Sequence, residues 1–276
     1  MRKFFRSSVM TVLLFIMSTI LLFAGTIGGT QAALQIESNN YYSAFNVSHI
    51  GVTLRENGGD VSNRDYGEKA AGENQGWASN NQNGPLEMNA LGEDKAFVIG
   101  KNYDFAVDVK NTGEIDQIVR IVVYKYWAQA NAEGPKGWFH GDKAKKLTDT
   151  HYDPDLIFLA YDADGLNPDE YTKDKYNADE WIKDDTSTEE RQVYYYKYVL
   201  TKESDTEDLF STLQVKKAAA QTRVENGTAY MYDGLGFVVE LEADAIQTHN
   251  WQKAMKSAWG VSDTIITELA KTLPNE

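Results

Sequence analysis

The stretch FVIGKNYDFAVDVKNTGEIDQIVRIVVYKYW, residues 97–127, decides the fold because it contains two segments in which apolar and polar residues alternate. The first segment places Tyr103, Phe105, Val107 and Val109 at every second position. Such a period of two predicts a β-strand that buries one face and exposes the other to solvent.

The second segment of this stretch predicts a strand in the middle of a sheet. Four apolar residues fall on one of its faces: Val119, Ile121, Val123 and Trp127. The other face is also partly apolar and carries Val122, Tyr124 and Tyr126. A strand with two partly apolar faces is covered on both sides, which favours a central position.

Alternation returns in three other parts of the chain. The apolar sets are Ile50, Val52 and Leu54, then Tyr194, Tyr196, Tyr198 and Leu200, and finally Phe237, Val239, Leu241 and Ala243. A further run, LIFLAY at residues 156–161, is too apolar to assign to one face. Six or more strands without a strand–helix–strand rhythm predict a mainly β protein, an antiparallel β-sandwich.

The C-terminal part departs from this alternation and predicts one or two helices. In HNWQKAMKSAWG five apolar residues recur at helical spacing: Trp251, Ala254, Met255, Ala258 and Trp259. We expect Gly260 to end this helix and Ser262 to cap a second one that carries Ile265, Ile266 and Leu269. The apolar stripe is expected to dock on the sandwich, and a groove for a partner or ligand is the alternative.

The first residues have the pattern of a secretion signal. Three basic residues follow Met1, and the apolar run at 9–24 is shorter than the roughly 20 residues that span a bilayer. The small residues around Gln31 predict cleavage between Ala32 and Ala33. The alternative is a leader that stays uncleaved as a membrane anchor.

The predicted organisation is a signal peptide at 1–32 and a single β-sandwich domain at 33–276 with insertions at about 59–94 and 128–190. Long connections lie at residues 58–89, 131–153 and 161–190. Connections of this length either contain short structure of their own or form functional surface.

The chain is strongly acidic, with 41 Asp and Glu against 27 Lys and Arg and a formal net charge of −14. Such a charge repels nucleic acid and anionic lipid, so we expect no nucleic-acid partner and membrane contact only through an uncleaved leader. The absence of cysteine excludes disulfide scaffolds, thiol enzymes and thiolate metal sites.

Catalytic motifs are missing from the sequence. The four histidines, His49, His140, His151 and His249, lie far apart, and none belongs to an H-E-x-x-H pair that could hold zinc. There is no G-x-S-x-G elbow and no glycine-rich phosphate loop. We therefore expect no enzyme and assign no catalytic residue.

One acidic turn, YDADGLNPDE, offers closely spaced oxygen ligands around Gly165. The candidate calcium ligands are Asp162, Asp164, Asn167, Asp169 and Glu170. Calcium takes about 6 to 8 oxygen ligands, but this turn lacks the spacing of an EF-hand. A weak Ca²⁺ site and an ordinary acidic turn both remain open, and no other cofactor is expected.

Several blocks of the sequence resemble the TasA/camelysin family of secreted proteins of Gram-positive bacteria. The leader end GGTQA-AL and the following SAFNVSHIGVTLREN are similar to members whose leaders a SipW-type signal peptidase removes. Residues 97–127 resemble the family's strand, a turn at Asn111-Thr112-Gly113 and a second strand. GFVVELEADAIQTHNW, residues 236–251, resembles its closing strand, whereas the insertions have no counterpart.

The resemblance implies a jelly-roll-like sandwich at the cell surface or in the extracellular matrix, where such proteins form biofilm fibres. In that family the freed N-terminal segment acts as a donor strand for the next subunit. Residues 33–47 offer four apolar anchors for this role: Leu34, Ile36, Tyr42 and Phe45. The same segment could instead form the first strand of its own sandwich or a tail.

The favoured function is therefore a matrix fibre subunit that forms a head-to-tail homopolymer, with other matrix proteins as further possible partners. One alternative is a camelysin-like surface metalloprotease, against which the missing zinc motif counts. The other is a surface adhesin that does not polymerise and binds through residues 161–190 or through the Trp138-Phe139 pair.

Overall fold

The computed structural model describes residues 12–19, 49–66, 77–80, 97–129, 145–147, 152–162, 167–223 and 230–274. They belong to two compact units, Met1–Ser48 and His49–Glu276. In the first unit residues 12–19 form a short helix with exposed side chains. Among the described residues no helix is long and apolar enough to cross a bilayer.

Strands dominate the described part of the second unit. The strands are β1 (Ile50–Glu56), β2 (Gly59–Tyr66), β3 (Trp77–Asn80), β4 (Tyr103–Asn111), β5 (Gln117–Gln129), β6 (Lys145–Lys146), β7 (Ile157–Ala160), β8 (Trp181–Lys183), β9 (Arg191–Tyr196), β10 (Phe210–Val215) and β11 (Leu235–Gln247). Two α-helices follow, α1 (Trp251–Trp259) and α2 (Asp263–Leu269). Short 3₁₀ turns occupy Pro154–Leu156, Pro168–Glu170 and Lys217–Ala220.

The strands form two antiparallel sheets. The first has the order β3-β2-β1-β4-β10-β7, and the second has the order β11-β5-β9-β8, with β6 also paired to β5. The predicted mainly β fold, an antiparallel sandwich with C-terminal helices, is confirmed. The central position predicted for β5 is also confirmed, because β11 pairs with one of its sides and β9 with the other.

The main core lies between the sheets and is built from the predicted alternating rows. Among its buried members from the first sheet are Val52, Leu54, Phe105, Val107 and Val109, and among those from β5 are Val119, Ile121, Val123 and Trp127. Both sheets thus direct every second residue inward, as the period of two requires. Burial of these side chains is the largest favourable contribution to folding.

A second apolar cluster covers the other face of the second sheet. Ile118 and Val122 of β5 pack there with Trp251 and Met255 of α1, and α2 adds Ile265, Ile266 and Leu269. The predicted docking of the helices is confirmed, and so are their ends. Gly260 follows α1 in the left-handed conformation, and the Ser262 side chain accepts a hydrogen bond from the backbone N–H of Ile265. Ala258, predicted in the stripe, is exposed.

The turn between β4 and β5 connects the two sheets through a buried amide. The side-chain amide of Asn111 donates to the carbonyls of Ile115 and Leu200, and its Oδ1 accepts from the Gly113 N–H at 2.9 Å. A Cβ atom at Gly113 would lie 2.6 Å from the His49 carbonyl oxygen. Only glycine fits this position without movement of the backbone.

Two features of the strands differ from the sequence interpretation. The row of alternating tyrosines leaves strand β9 after Tyr196, so Tyr198 is 40% exposed rather than buried. The long connections contain sheet strands of their own, namely β2 and β3 at residues 59–80, β6 at 145–146, and β8 within the acidic segment. These segments belong at least in part to the sandwich.

Candidate functional site

The acidic turn proposed to bind calcium is only partly described. Asp164 and the side chain of Asp169 lie outside the described part of the chain. Within the described part, the Asn167 side-chain amide donates to Glu170 Oε1 at 3.0 Å, and Asp162 has a left-handed backbone with φ of 51°. The calcium site therefore stays a prediction.

A different acidic group is assembled by the fold. The carboxylates of Asp153, Asp155 and Glu189 come within 4.8 Å of one another, and among the described residues this is the one group of its kind. Glu189 precedes β9, while the two aspartates flank the start of the 3₁₀ turn Pro154–Leu156. They line one side of an open cleft of 580 Å³, where the Lys216 side chain stands nearby.

Beneath this cleft a lysine is buried between the sheets. Lys125 projects from β5 and its side chain is 0% exposed. Its Nζ donates to Asp174 Oδ2 at 2.5 Å and to the Ile157 carbonyl at 2.8 Å, and Asp155 Oδ1 lies 3.8 Å away. The ammonium therefore joins the central strand of one sheet to the edge strand of the other.

The carboxylate of Asp174, which pairs with this lysine, accepts hydrogen bonds from several groups. Asp174 is 1% exposed in its side chain, and its Oδ1 accepts the N–H of Leu159 on β7 at 2.9 Å. Its Oδ2 also accepts from the Gln192 side-chain amide at 2.8 Å, and the Tyr194 hydroxyl donates to the Gln192 carbonyl oxygen. Both ends of the ion pair are thus fixed by hydrogen bonds.

This pair is buried, and burial also shifts the pKa of several neighbouring groups. Burial raises the pKa of Asp155, and the neighbouring Asp174 adds to this while Lys125 opposes it. Burial lowers the pKa of Lys183 and of Lys216, and it raises the pKa of Tyr194 well above its usual value. All four shifts disfavour the charged form, as a low-dielectric site requires.

The sequence contains a signal for this buried lysine that the apolar alternation of β5 alone does not use. Lys125 occupies the inward row of β5, between Val123 and Trp127, in a run from residue 119 to residue 127 whose other inward members are apolar. A charge in a buried row needs a partner, so its presence predicts a buried anion. The identity of that anion, Asp174, lies 49 residues further along the chain and has no local signal.

The second candidate site is the open edge of strand β11. This strand has 13 residues and pairs with β5 along its whole length. No other described strand pairs with its second side, although β1 of the first sheet lies close to β11 and Arg64 of β2 donates to Asp244 on it. The other outer strands are much shorter, with four residues each in β3 and β7 and three in β8.

The inward side chains of β11 are incompletely covered by the described residues. Phe237, Val239 and Leu241 contact the main core but keep intermediate exposure. Near the start of the strand Phe237 packs edge-on against Phe97, with ring centroids 4.8 Å apart. Val98 and Ile99 beyond it are 50% and 42% exposed. This edge therefore combines backbone that no described strand pairs with apolar side chains of intermediate exposure.

The residues predicted for leader cleavage and strand donation lie outside the described part of the chain. They are Ala32, Ala33, Leu34, Ile36, Tyr42 and Phe45. The same applies to the Trp138-Phe139 pair and to two of the four histidines. His49 and His249 are described, but the acidic group on the cleft contains neither of them.

Comparison of the chain with protein-family models, with curated proteins and with solved structures found no match.

Proposed function

We propose that this protein is a secreted structural subunit of the cell surface or biofilm matrix that assembles into fibres by donor-strand exchange. In this assembly residues 33–47 of one copy pair with the open edge of β11 in the next copy. The observation that carries the proposal is the edge itself, which is long, unpaired among the described residues, and lined by partly exposed apolar side chains.

The chemistry of both surfaces fits this pairing. An added strand gains main-chain hydrogen bonds along the edge, and its alternate side chains fill apolar positions. Leu34 and Ile36 alternate in the donor segment as Val239 and Leu241 do on β11. The segment from Ala33 to Val47 contains no proline that would interrupt pairing.

The proposed contact is head-to-tail, which is the arrangement that a fibre requires. The donor segment and the acceptor edge are different parts of the chain, so each copy offers one of each. A head-to-tail contact of this kind continues from copy to copy unless its rotation closes a ring. Removal of residues 1–32 takes away three basic residues and changes the formal net charge from −14 to −17, which opposes close approach, so assembly is expected to be favoured by moderate salt or mild acid.

Electron microscopy of the secreted protein with its N-terminus at Ala33 tests the proposal. We expect filaments at mildly acidic pH and folded monomers from a variant that lacks residues 33–40. Circular dichroism and thermal melting of that variant show whether the sandwich is intact. Filaments that persist without residues 33–40 would contradict the donor assignment.

Substitution within the donor segment provides a matched control. The double variant Leu34→Ser/Ile36→Ser removes the alternating apolar anchors, and we expect it to lose filaments. The variant Gln35→Ser/Glu37→Ser changes the intervening positions and is expected to keep them. Equal filament yields from the two variants would show that the alternate side chains of this segment do not determine assembly.

A further inference from the structure

We propose that Lys125 and Asp174 join in an intramolecular isopeptide bond between Nζ and Cγ, formed by the folded protein itself. The bond would be a covalent link within the sandwich of a chain that has no cysteine. This inference concerns a modification inside one subunit, and it stands whether or not subunits polymerise.

The two groups are held in an arrangement suited to attack. Lys125 Nζ lies 2.5 Å from Asp174 Oδ2, and both side chains are buried, at 0% and 1% exposure. Effective concentrations of well-aligned groups in one molecule reach about 10⁵ to 10⁸ M, which favours condensation over hydrolysis. Water, the product of the reaction and the reactant of its reversal, is scarce at this depth.

The carboxyl group is positioned as an electrophile. The N–H of Leu159 donates to Oδ1 at 2.9 Å, where negative charge develops when nitrogen adds to Cγ. The Gln192 amide donates to Oδ2 at 2.8 Å and holds the oxygen that departs. Fixed donors of this kind stabilise a tetrahedral intermediate without reorganisation.

The reaction balances without an external reagent. The Lys125 ammonium loses one proton, and the resulting amine forms a C–N bond with Cγ of Asp174. The C–Oδ2 bond then breaks, and Oδ2 leaves as water with two of the three original ammonium protons. Oδ1 remains as the carbonyl oxygen of the amide, and one proton remains on its nitrogen, so an ion pair becomes a neutral amide and water.

Asp155 is positioned to carry the proton between the two groups. Its Oδ1 lies 3.8 Å from Lys125 Nζ, and burial raises its pKa, so a carboxyl at this place exchanges protons readily. Asp155 also lines the open cleft of 580 Å³, which gives the departing water a route to solvent. It is a proton-transfer residue and forms no bond to carbon.

The buried environment supplies the driving force. Two charges in a low-dielectric interior carry a large desolvation penalty that their attraction offsets only in part. Conversion to a neutral amide removes both charges and keeps the hydrogen bond from Leu159 to Oδ1. The product would link β5 covalently to a segment that is hydrogen-bonded to β7, and so would connect the two sheets.

Intact mass spectrometry of the folded, secreted protein tests the bond. We expect a mass lower than that of the sequence by one water, and a tryptic peptide in which cleavage after Lys125 is blocked and residue 174 is attached. The variant Asp174→Asn should lose ammonia in place of water, because the leaving group changes. Lys125→Arg should show the full mass.

Two further variants separate the chemistry from folding. Asp155→Asn retains both reacting groups, so we expect it to fold and to form the bond at least tenfold more slowly in a time course after refolding. Lys216→Arg, which keeps a cation in the lining of the same cleft, should lose water as completely as the unsubstituted protein. The proposal is overturned if the natively folded protein has the full mass and separate peptides for residues 125 and 174.

Discussion

Arg120 and Asp244 stand directly opposite each other in the β5–β11 pair, and the guanidinium donates to Asp244 Oδ2 from Nε at 2.9 Å and from Nη2 at 2.8 Å. Arg64 of the first sheet donates to the other carboxylate oxygen. The Arg120 guanidinium also lies over the Trp259 ring at 4.7 Å. One carboxylate thus ties the outer strand to both sheets, and through Arg120 to α1.

Loss of this carboxylate should loosen β11. We expect Asp244→Ala to lower the free energy of unfolding by about 2 kcal/mol, because two partly buried arginines lose a charged partner. Urea denaturation measures the change. Glu242→Ala, on the same face of the strand, is the control and should shift the midpoint little. Similar effects of both substitutions would contradict the role assigned to the ion pairs.

Glu56 should make stability depend on pH. It lies at the end of β1 with 5% exposure, and neither carboxylate oxygen has a hydrogen-bond partner among the described residues. Burial raises its pKa from 4.5 to about 7. The proton is therefore bound more tightly in the folded state, and its stabilising effect is complete below about 4.5 and is lost as the pH rises through about 7.

Glu56→Gln keeps the shape of the side chain and removes the charge. We expect the variant to be more stable than the parent by about 1–3 kcal/mol at pH 8 and equal to it near pH 4. Urea melts at several pH values between these limits provide the comparison. A difference that is constant across this range would show that Glu56 does not titrate as assigned.

Trp251 should account for most of the attachment of α1. Its side chain is fully buried, and its indole N–H donates to the Pro274 carbonyl at 2.9 Å. We expect Trp251→Ala to cost about 3–5 kcal/mol of stability. Ala258→Ser, on the exposed face of the same helix, should change stability by less than about 0.5 kcal/mol. Near-ultraviolet circular dichroism would show whether aromatic packing is lost.

The effect of an added charge on filament formation should depend on which face of β11 carries it. Val239→Lys places an ammonium in the inward row, so we expect filaments to be lost, whereas Glu240→Lys on the exposed face should preserve them. Electron microscopy counts the filaments, and the melting temperature shows whether each variant is folded. Filament loss from Glu240→Lys alone would indicate assembly through the outer face.

Gly113 should tolerate no side chain. An added Cβ would meet the Gln117 amide as well as the His49 carbonyl and the Gly51 nitrogen, all closer than 3.0 Å. We expect Gly113→Ala to destabilise the protein by more than about 2 kcal/mol, because the turn between the sheets must shift. Gly236→Ala, in β11, is the comparison. Equal melting temperatures of the two variants would contradict this reading of the turn.

The long alternating strands were predictable because the alternation of apolar and polar residues in each one shows which residues point inward. The apolar members of the two rows are buried as their period requires, namely Tyr103, Phe105, Val107 and Val109 in β4 and Val119, Ile121, Val123 and Trp127 in β5. The helix signals at Gly260 and Ser262 were equally reliable, since capping depends on neighbours in the sequence.

Other strands were missed because they are polar or short. Strand β2, GDVSNRDY, has almost no apolar alternation. Its position follows instead from the turn before it, where Asn57 and Gly58 both have positive φ, at 48° and 76°. An Asn-Gly pair with this geometry joins hairpin strands tightly. The Asn-Gly pair is therefore a local signal for this hairpin, whereas the alternation pattern predicts only a long connection from residue 58.

The partner of Lys125 in the candidate site could not be predicted from the sequence. An inward lysine indicates that a buried anion must accompany it. Which of the 41 acidic residues supplies that anion is determined only by the tertiary fold. The choice depends on where the segment after the 3₁₀ turn Pro168–Glu170 crosses the end of β7.

The length of β11 has a mechanical consequence. Its 13 residues extend about 44 Å, and residues 33–47 span at most about 50 Å when fully extended. In a fibre built as proposed, nearly the whole donor would be committed to pairing, and almost no slack would remain between neighbours. Such a fibre would be stiff, because no free linker would separate its subunits. Stretching it would require breaking the main-chain hydrogen bonds along the whole paired edge.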